Sequence, residues 1–155
     1  MTTPCDTAAA GGHRDVAVTM DDGVRLAVRD YGRRPEASHT VVFVHGLCLS
    51  QACWARQIDA LVARFGDAVR VISYDHRGHG RSGQAPMSTY RIERLAEDLA
   101  QVLTAMHVSG PVTLVGHSMG GMTALGYLAL AAGRRPVEPA GLVLLATAAG
   151  KLRQR

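Results

Sequence analysis

The 155-residue chain is 47% apolar and only 5% aromatic, enough valine, leucine and alanine for the core of one domain. Its formal charge of +4 is carried by arginine, with Lys151 the single lysine. The arginines are scattered apart from Arg33-Arg34 and Arg134-Arg135, and no basic stripe is interleaved with aromatics, which argues against a nucleic-acid partner. Three cysteines (Cys5, Cys48, Cys53) make no disulfide framework, the polar start Met1 to Asp6 is no secretory leader, and no apolar run approaches the roughly 20 residues of a bilayer span. A cytoplasmic protein is expected, with no membrane association.

Residues 1–13, rich in Ala, Gly and Thr, read as a disordered tail. Val16 to Met20 reads as a strand, Asp21-Asp22-Gly23 as a turn, and Arg25 to Tyr31 alternates polar and apolar, so the two form a hairpin at a sheet edge. After a loop from Gly32 to Ser38, Thr40-Val41-Val42-Phe43-Val44 is continuously apolar, as a strand covered on both faces must be. It runs into His45-Gly46-Leu47-Cys48. Ser50 is placed to cap a helix whose apolar positions Trp54, Ile58, Leu61, Val62 and Phe65 have helical spacing. A further strand, Val69 to Tyr74, leads into Asp75-His76-Arg77-Gly78-His79-Gly80-Arg81-Ser82. Ser88 or Thr89 then opens a second helix, with Ile92, Leu95, Leu99, Val102, Leu103 and Met106 on its buried face and Arg94, Glu97, Asp98 and Gln101 mostly outside it.

Gly110-Pro111 ends that helix. Val112-Thr113-Leu114-Val115 is a β-branched, apolar run that stops at Gly116-His117-Ser118-Met119-Gly120-Gly121, and a helix predicted over 122–132 follows. A serine in Gly-x-Ser-x-Gly between a strand and a helix is the sequence form of a nucleophile elbow. The corner forces a strained backbone with positive φ at Ser118, and side chains at Gly116 and Gly120 would collide with neighbouring chain. The helix is apolar nearly all round, which predicts burial. Arg134-Arg135-Pro136 closes it, and Gly141 to Ala146 is a last buried strand. No repeat and no linker divides the chain. Strand and helix alternate after the hairpin, so the expected fold is α/β, a mainly parallel sheet with helices on both faces. The domain is expected over 14–150, followed by a basic tail, 151–155.

Three motifs thus stand in order at three strand ends: His45-Gly46, Asp75 to Ser82, and Gly116 to Gly121. Together they resemble the α/β-hydrolase superfamily, and within it the single-domain serine esterases, cofactor-free haloperoxidases (perhydrolases) and lactonase-like members. The likeness covers about residues 16–150, the N-terminal half of that fold. It implies that Ser118 is the nucleophile of acyl transfer, and that the backbone N–H groups of Leu47 and Met119 form an oxyanion hole. Fixed donors at such a point each lower the barrier by roughly 3 kcal/mol. It also implies that His45, His76, His79 and His117 shape loops rather than act as the base, and that Asp75 and Arg77 belong to an internal ion-pair network. The family's acid and histidine stand on later loops. Here no carboxylate follows the last strand in Ala146 to Gly150, and no histidine follows His117, so the fold is expected to be truncated before its final strands.

Two competing motifs fail on context. Gly78-His79-Gly80-Arg81-Ser82-Gly83 matches G-x-G-x-x-G, but Pro86 intervenes before the helix and the acid near the required distance, Asp98, lies inside it. His45, Cys48, Cys53, His76 and His79 lack paired zinc-ligand spacing, and the two cysteines read as small packed residues. No cofactor and no metal is expected. The reading is a serine hydrolase acting on an ester or related acyl bond of a small molecule, nearly inactive alone and prone to self-association or to complementation by a missing C-terminal half. A non-catalytic ligand-binding pseudoenzyme, or a truncated remnant on the same scaffold, is the alternative.

Overall fold

The computed structural model describes residues 12–32 and 37–150. Cys5, most of the expected N-terminal tail, the Arg33-Arg34 pair and the tail 151–155 lie outside the described residues. Six strands form one sheet: β1 (His13–Thr19), β2 (Arg25–Tyr31), β3 (His39–Val44), β4 (Val69–Tyr74), β5 (Val112–His117) and β6 (Gly141–Leu145), in the spatial order β1-β2-β4-β3-β5-β6. β1 and β2 form the expected antiparallel hairpin, with Thr19 opposite Arg25 across the Asp21-Asp22-Gly23 turn. β2 runs antiparallel to β4, and β4, β3, β5 and β6 run parallel to one another. β1 begins at His13, so the strand reaches into the stretch expected to be tail.

Alternation along the central strands divides two apolar layers. Val42, Val44, Ile72, Tyr74, Val112 and Leu114 face one side and pack on α2 (Ile92–Ala105) and α3 (Met119–Ala129). Val41, Phe43, Val69, Val71 and Val115 face the other side, where Trp54 and Ile58 of the Gln51–Trp54 turn and α1 (Ala55–Phe65) cover them. Helices therefore lie on both faces, as the strand–helix alternation predicts. No helix among the described residues is long and apolar enough to cross a membrane.

Several local expectations are corrected by packing. Ser50 makes no side-chain cap; Asp75 does that work from β4's end, accepting the Gln51 N–H at 2.7 Å. Ser88 and Thr89 lie in a separate short turn, and α2 starts at Ile92 behind Arg91 in extended geometry. Asp98, expected on the outer face of α2, is fully buried because Arg77 crosses to meet it. α3 occupies 119–129 rather than 122–132, with one face buried and Leu128 and Ala129 exposed. Arg135 donates to the carbonyls of Leu128 and Leu130, both at 2.6 Å, and so closes that helix. β6 is not buried: Val143, Leu144 and Leu145 are 43%, 41% and 42% exposed, because only β5 pairs with it among the described residues.

Candidate functional site

The parallel strands end together, and Ser118 stands where β5 leaves the sheet. Its backbone has φ 50° and ψ −114°, the positive φ that a strand-to-helix reversal within one residue requires. Two bonds hold this conformation from β6: the Ser118 N–H donates to the Leu145 carbonyl at 2.9 Å, and the Thr147 hydroxyl donates to the Ser118 carbonyl at 2.7 Å. Ser118 Oγ is half-buried on its residue's exposure and hydrogen-bonds to no described residue. Of the seven histidines, none contacts it as a base would.

The glycines around it are explained by contact. A Cβ on Gly116 would come within 2.5 Å of the Gly121 Cα, so α3 can turn back over β5 only if Gly116 has no side chain. A Cβ on Gly120 would strike the Val44 carbonyl and come within 2.7 Å of the His45 carbonyl oxygen, so α3 seats directly on the end of β3. The same holds on the neighbouring loop, where a Cβ on Gly46 would lie 2.7 Å from His117 Nδ1. The Leu47 loop and the start of α3 are thereby pressed together. Neither the Leu47 N–H nor the Met119 N–H donates to a backbone carbonyl of the described residues. Leu47 itself is 62% exposed. The Met119 N–H thus follows the strained serine at the first turn of α3, whose dipole favours negative charge there, and Leu47 stands on the loop whose Gly46 abuts His117.

Beneath the loops the histidines form a buried framework. His45 donates from Nδ1 to the Gly46 carbonyl at 2.8 Å and accepts the His76 N–H on Nε2 at 3.0 Å, an arrangement that requires the neutral ring. His76 donates from Nε2 to the His45 carbonyl at 3.2 Å, and their rings meet edge-on at 4.7 Å. Burial, more than any neighbour, pushes the His45 imidazolium below the usual histidine range, and pushes that of fully buried His76 well below it. His79 donates from Nδ1 to the Arg77 carbonyl at 2.9 Å, which places its proton on that nitrogen.

Asp75 and Arg77, expected in one ion-pair network, belong to two. Arg77 makes a bidentate pair with buried Asp98 at 2.6 and 2.7 Å and reaches Asp22 at 2.8 Å. Arg94 joins from α2, pairing with Asp22 at 3.2 Å and with Asp21. Asp75 instead accepts the Gln51 N–H at 2.7 Å, the Gln51 Nε2 at 3.1 Å and the Arg81 N–H at 2.9 Å. Cys48 and Cys53, expected to be packed, are exposed free thiols, and burial of its surroundings raises the Cys53 pKa. Among the described residues no group of three or more His, Cys, Asp or Glu could hold a metal ion. Sequence reasoning passed over Gln51 and Thr147. Ser73, a polar residue between the apolar Ile72 and Tyr74 of β4, was the signal for the first, since its hydroxyl donates to Gln51 Oε1 at 2.8 Å. Thr147 carried no signal, because its role depends on β6 lying beside β5.

A family model described as alpha/beta hydrolase fold matches residues 39–154. The chain belongs to this family. It is similar to the bifunctional esterase/perhydrolase of Acinetobacter calcoaceticus, 34% identical over 84% of this chain and 44% of that protein. It is similar also to the non-heme chloroperoxidase of Streptomyces lividans, 37% identical over 74% of this chain and 39% of that protein. Among solved structures, an esterase from Exiguobacterium antarcticum superposes with a TM-score of 0.75 at 30% identity, covering 92% of this chain and 48% of its own. The chain spans less than half the length of each of these α/β-hydrolases.

Proposed function

We propose that this chain carries the nucleophile and the oxyanion donors of a serine hydrolase that acts on an ester or related acyl bond of a small molecule. The observation that carries the reading is Ser118 at φ 50° at the start of α3, followed by a Met119 N–H that no backbone carbonyl of the described residues accepts; Leu47, whose N–H is likewise undonated, is read as the second donor. In the proposed reaction Ser118 Oγ bonds to the acyl carbon while the carbonyl oxygen gathers negative charge between the two donors. The ester's alkoxide then leaves, taking up the proton that the serine hydroxyl loses to a general base, and water releases the acid from the acyl-enzyme. In this reading the triad acid and histidine are not among the residues of this chain. The exposed β6 edge supports self-association or complementation by further chain that pairs with it. A cytoplasmic setting is part of the same reading.

The absence of any histidine bonded to Ser118 among the described residues favours the second reading, a ligand-binding pseudoenzyme or remnant on this scaffold. A fluorophosphonate probe and an activated short-chain ester separate the two. The hydrolase reading expects slow adduct formation that Ser118→Ala abolishes. It also expects ester turnover well below the ordinary enzymatic range of roughly 1–10³ s⁻¹, because losing triad members costs on the order of a millionfold. Labelling that survives Ser118→Ala, or none at all, overturns it.

A further inference from the structure

We infer that Asp75, acting through Gln51, is a positioning residue that sets where the Leu47 N–H points, and hence the strength of the oxyanion site; this rests on the hydrolase reading of Leu47. The loop 46–50 that carries Leu47 is tied at both ends to the end of β4. At its start, the His45 ring accepts the His76 N–H at 3.0 Å. At its finish, Gln51 gives Asp75 both its backbone N–H and its side-chain amide, at 2.7 and 3.1 Å. Gln51 is itself clamped by the Ser73 hydroxyl at 2.8 Å and by the Ala27 carbonyl at 3.2 Å. Within the loop only one backbone bond, Leu49 N–H to the Gly46 carbonyl at 3.3 Å, stabilises the turn.

Three features distinguish this cluster from ordinary packing. Gln51, Ser73 and Asp75 are all buried, and a polar cluster in that place costs desolvation that an apolar trio would avoid. Among the described residues no lysine or arginine side chain lies against Asp75, and the one cationic candidate there, His45 Nε2 at 3.9 Å, is already occupied as an acceptor. The carboxylate is instead held by directional N–H donors, two of them backbone groups of separate loops, at Gln51 and Arg81. A Cβ on Gly80 would collide with that carboxylate, so the second loop also closes tightly over it. An anion held this way dictates backbone positions, and Leu47 lies four residues from the clamped N–H of Gln51.

The test compares Asp75→Asn, Gln51→Met and a control, Asp22→Asn, which loosens the separate Arg77 network. Hydrogen–deuterium exchange is read over residues 46–51 and over β3 and β5, and fluorophosphonate labelling of Ser118 is followed against probe concentration. Expected are faster exchange confined to 46–51 in both clamp variants and a limiting labelling rate lowered roughly 10- to 100-fold, with the half-saturating probe concentration unchanged. The control moves neither. If Asp75→Asn fails to fold, Gln51→Met, which keeps the carboxylate and the backbone bond, decides. Unchanged loop exchange and unchanged limiting rate in the folded clamp variants overturn the inference. Failure of the wild-type chain to label defeats the hydrolase reading instead, and loop exchange still judges whether the clamp orders the loop.

Discussion

Asp75 and Arg77 stand two residues apart on one loop, yet they anchor two unlike regions. Around the Arg77 guanidinium every hydrogen bond is ionic: Asp98 from α2 and Asp22 from the β1–β2 turn, with Arg94 bridging back to Asp22. Full charges on flexible side chains bind three distant segments together and tolerate small shifts among them. Around Asp75 the partners are N–H groups and a glutamine, and the histidine rings beside it are neutral. The first region holds the fold; the second holds a loop in one geometry. Cohesion of the fold and the holding of the 46–50 loop are thus separated within three residues of sequence.

The largest effect should come from the ionic region. Arg77→Met strips the buried Asp98 carboxylate of its bidentate partner, leaving it only Arg94 Nε at 3.3 Å, and is expected to cost about 3–5 kcal/mol in denaturant unfolding, because a buried charge that loses its main partner keeps its desolvation penalty. A loss below that of Asp75→Asn would erase the distinction between the two regions.

The regions should also part on pH. His76 and His45 titrate below the ordinary value of 6.5 in the folded chain, so their neutral-ring contribution is present above pH 6.5 and lost as pH falls below it. Each group adds a slope of at most about 1.4 kcal/mol per pH unit. Asp22, held below 3.8 chiefly by its bond from Arg77, contributes above that value and loses its share only below it. Burial shifts Asp98 the other way, so its ionisation lowers stability as pH rises past 3.8. Urea unfolding at pH 7.5, 6 and 5 should therefore show a decline that belongs to the histidine region and flattens in His76→Asn. An equal decline in that variant would assign it elsewhere.

The smallest effect tests strain. Ser118→Gly should raise stability by about 1 kcal/mol, since glycine accepts φ 50° without the Cβ clash. A destabilised glycine variant would mean that the bonds from Leu145 and Thr147, rather than the corner itself, set that torsion.

The order of strands and helices was legible because burial on both faces leaves continuous apolar runs such as Val41 to Val44, and amphipathic spacing marks α1 and α2. The elbow was legible for a related reason: Gly116, Ser118 and Gly120 are local in sequence, and the reversal they permit is a property of the backbone itself. The capping group was not legible where it comes from elsewhere in the chain, as Asp75 does for Gln51 although Ser50 stands at the N-cap position. Asp98 was misplaced because an acid on a helix reads as solvated until Arg77, 21 residues away in sequence, is seen to reach it.

What the sequence by itself determined is therefore whatever depends on periodicity and on backbone torsion: the α/β order, the central parallel strands, and a serine that must adopt positive φ. Only the tertiary structure decided which polar groups meet. Gln51 joins Asp75 because β3 and β4 are neighbours in the sheet, and Thr147 reaches Ser118 because β6 lies beside β5. Hydrogen bonds and ion pairs act over about 3 Å, so their partners are set by packing across the sheet and leave no periodic trace along the chain.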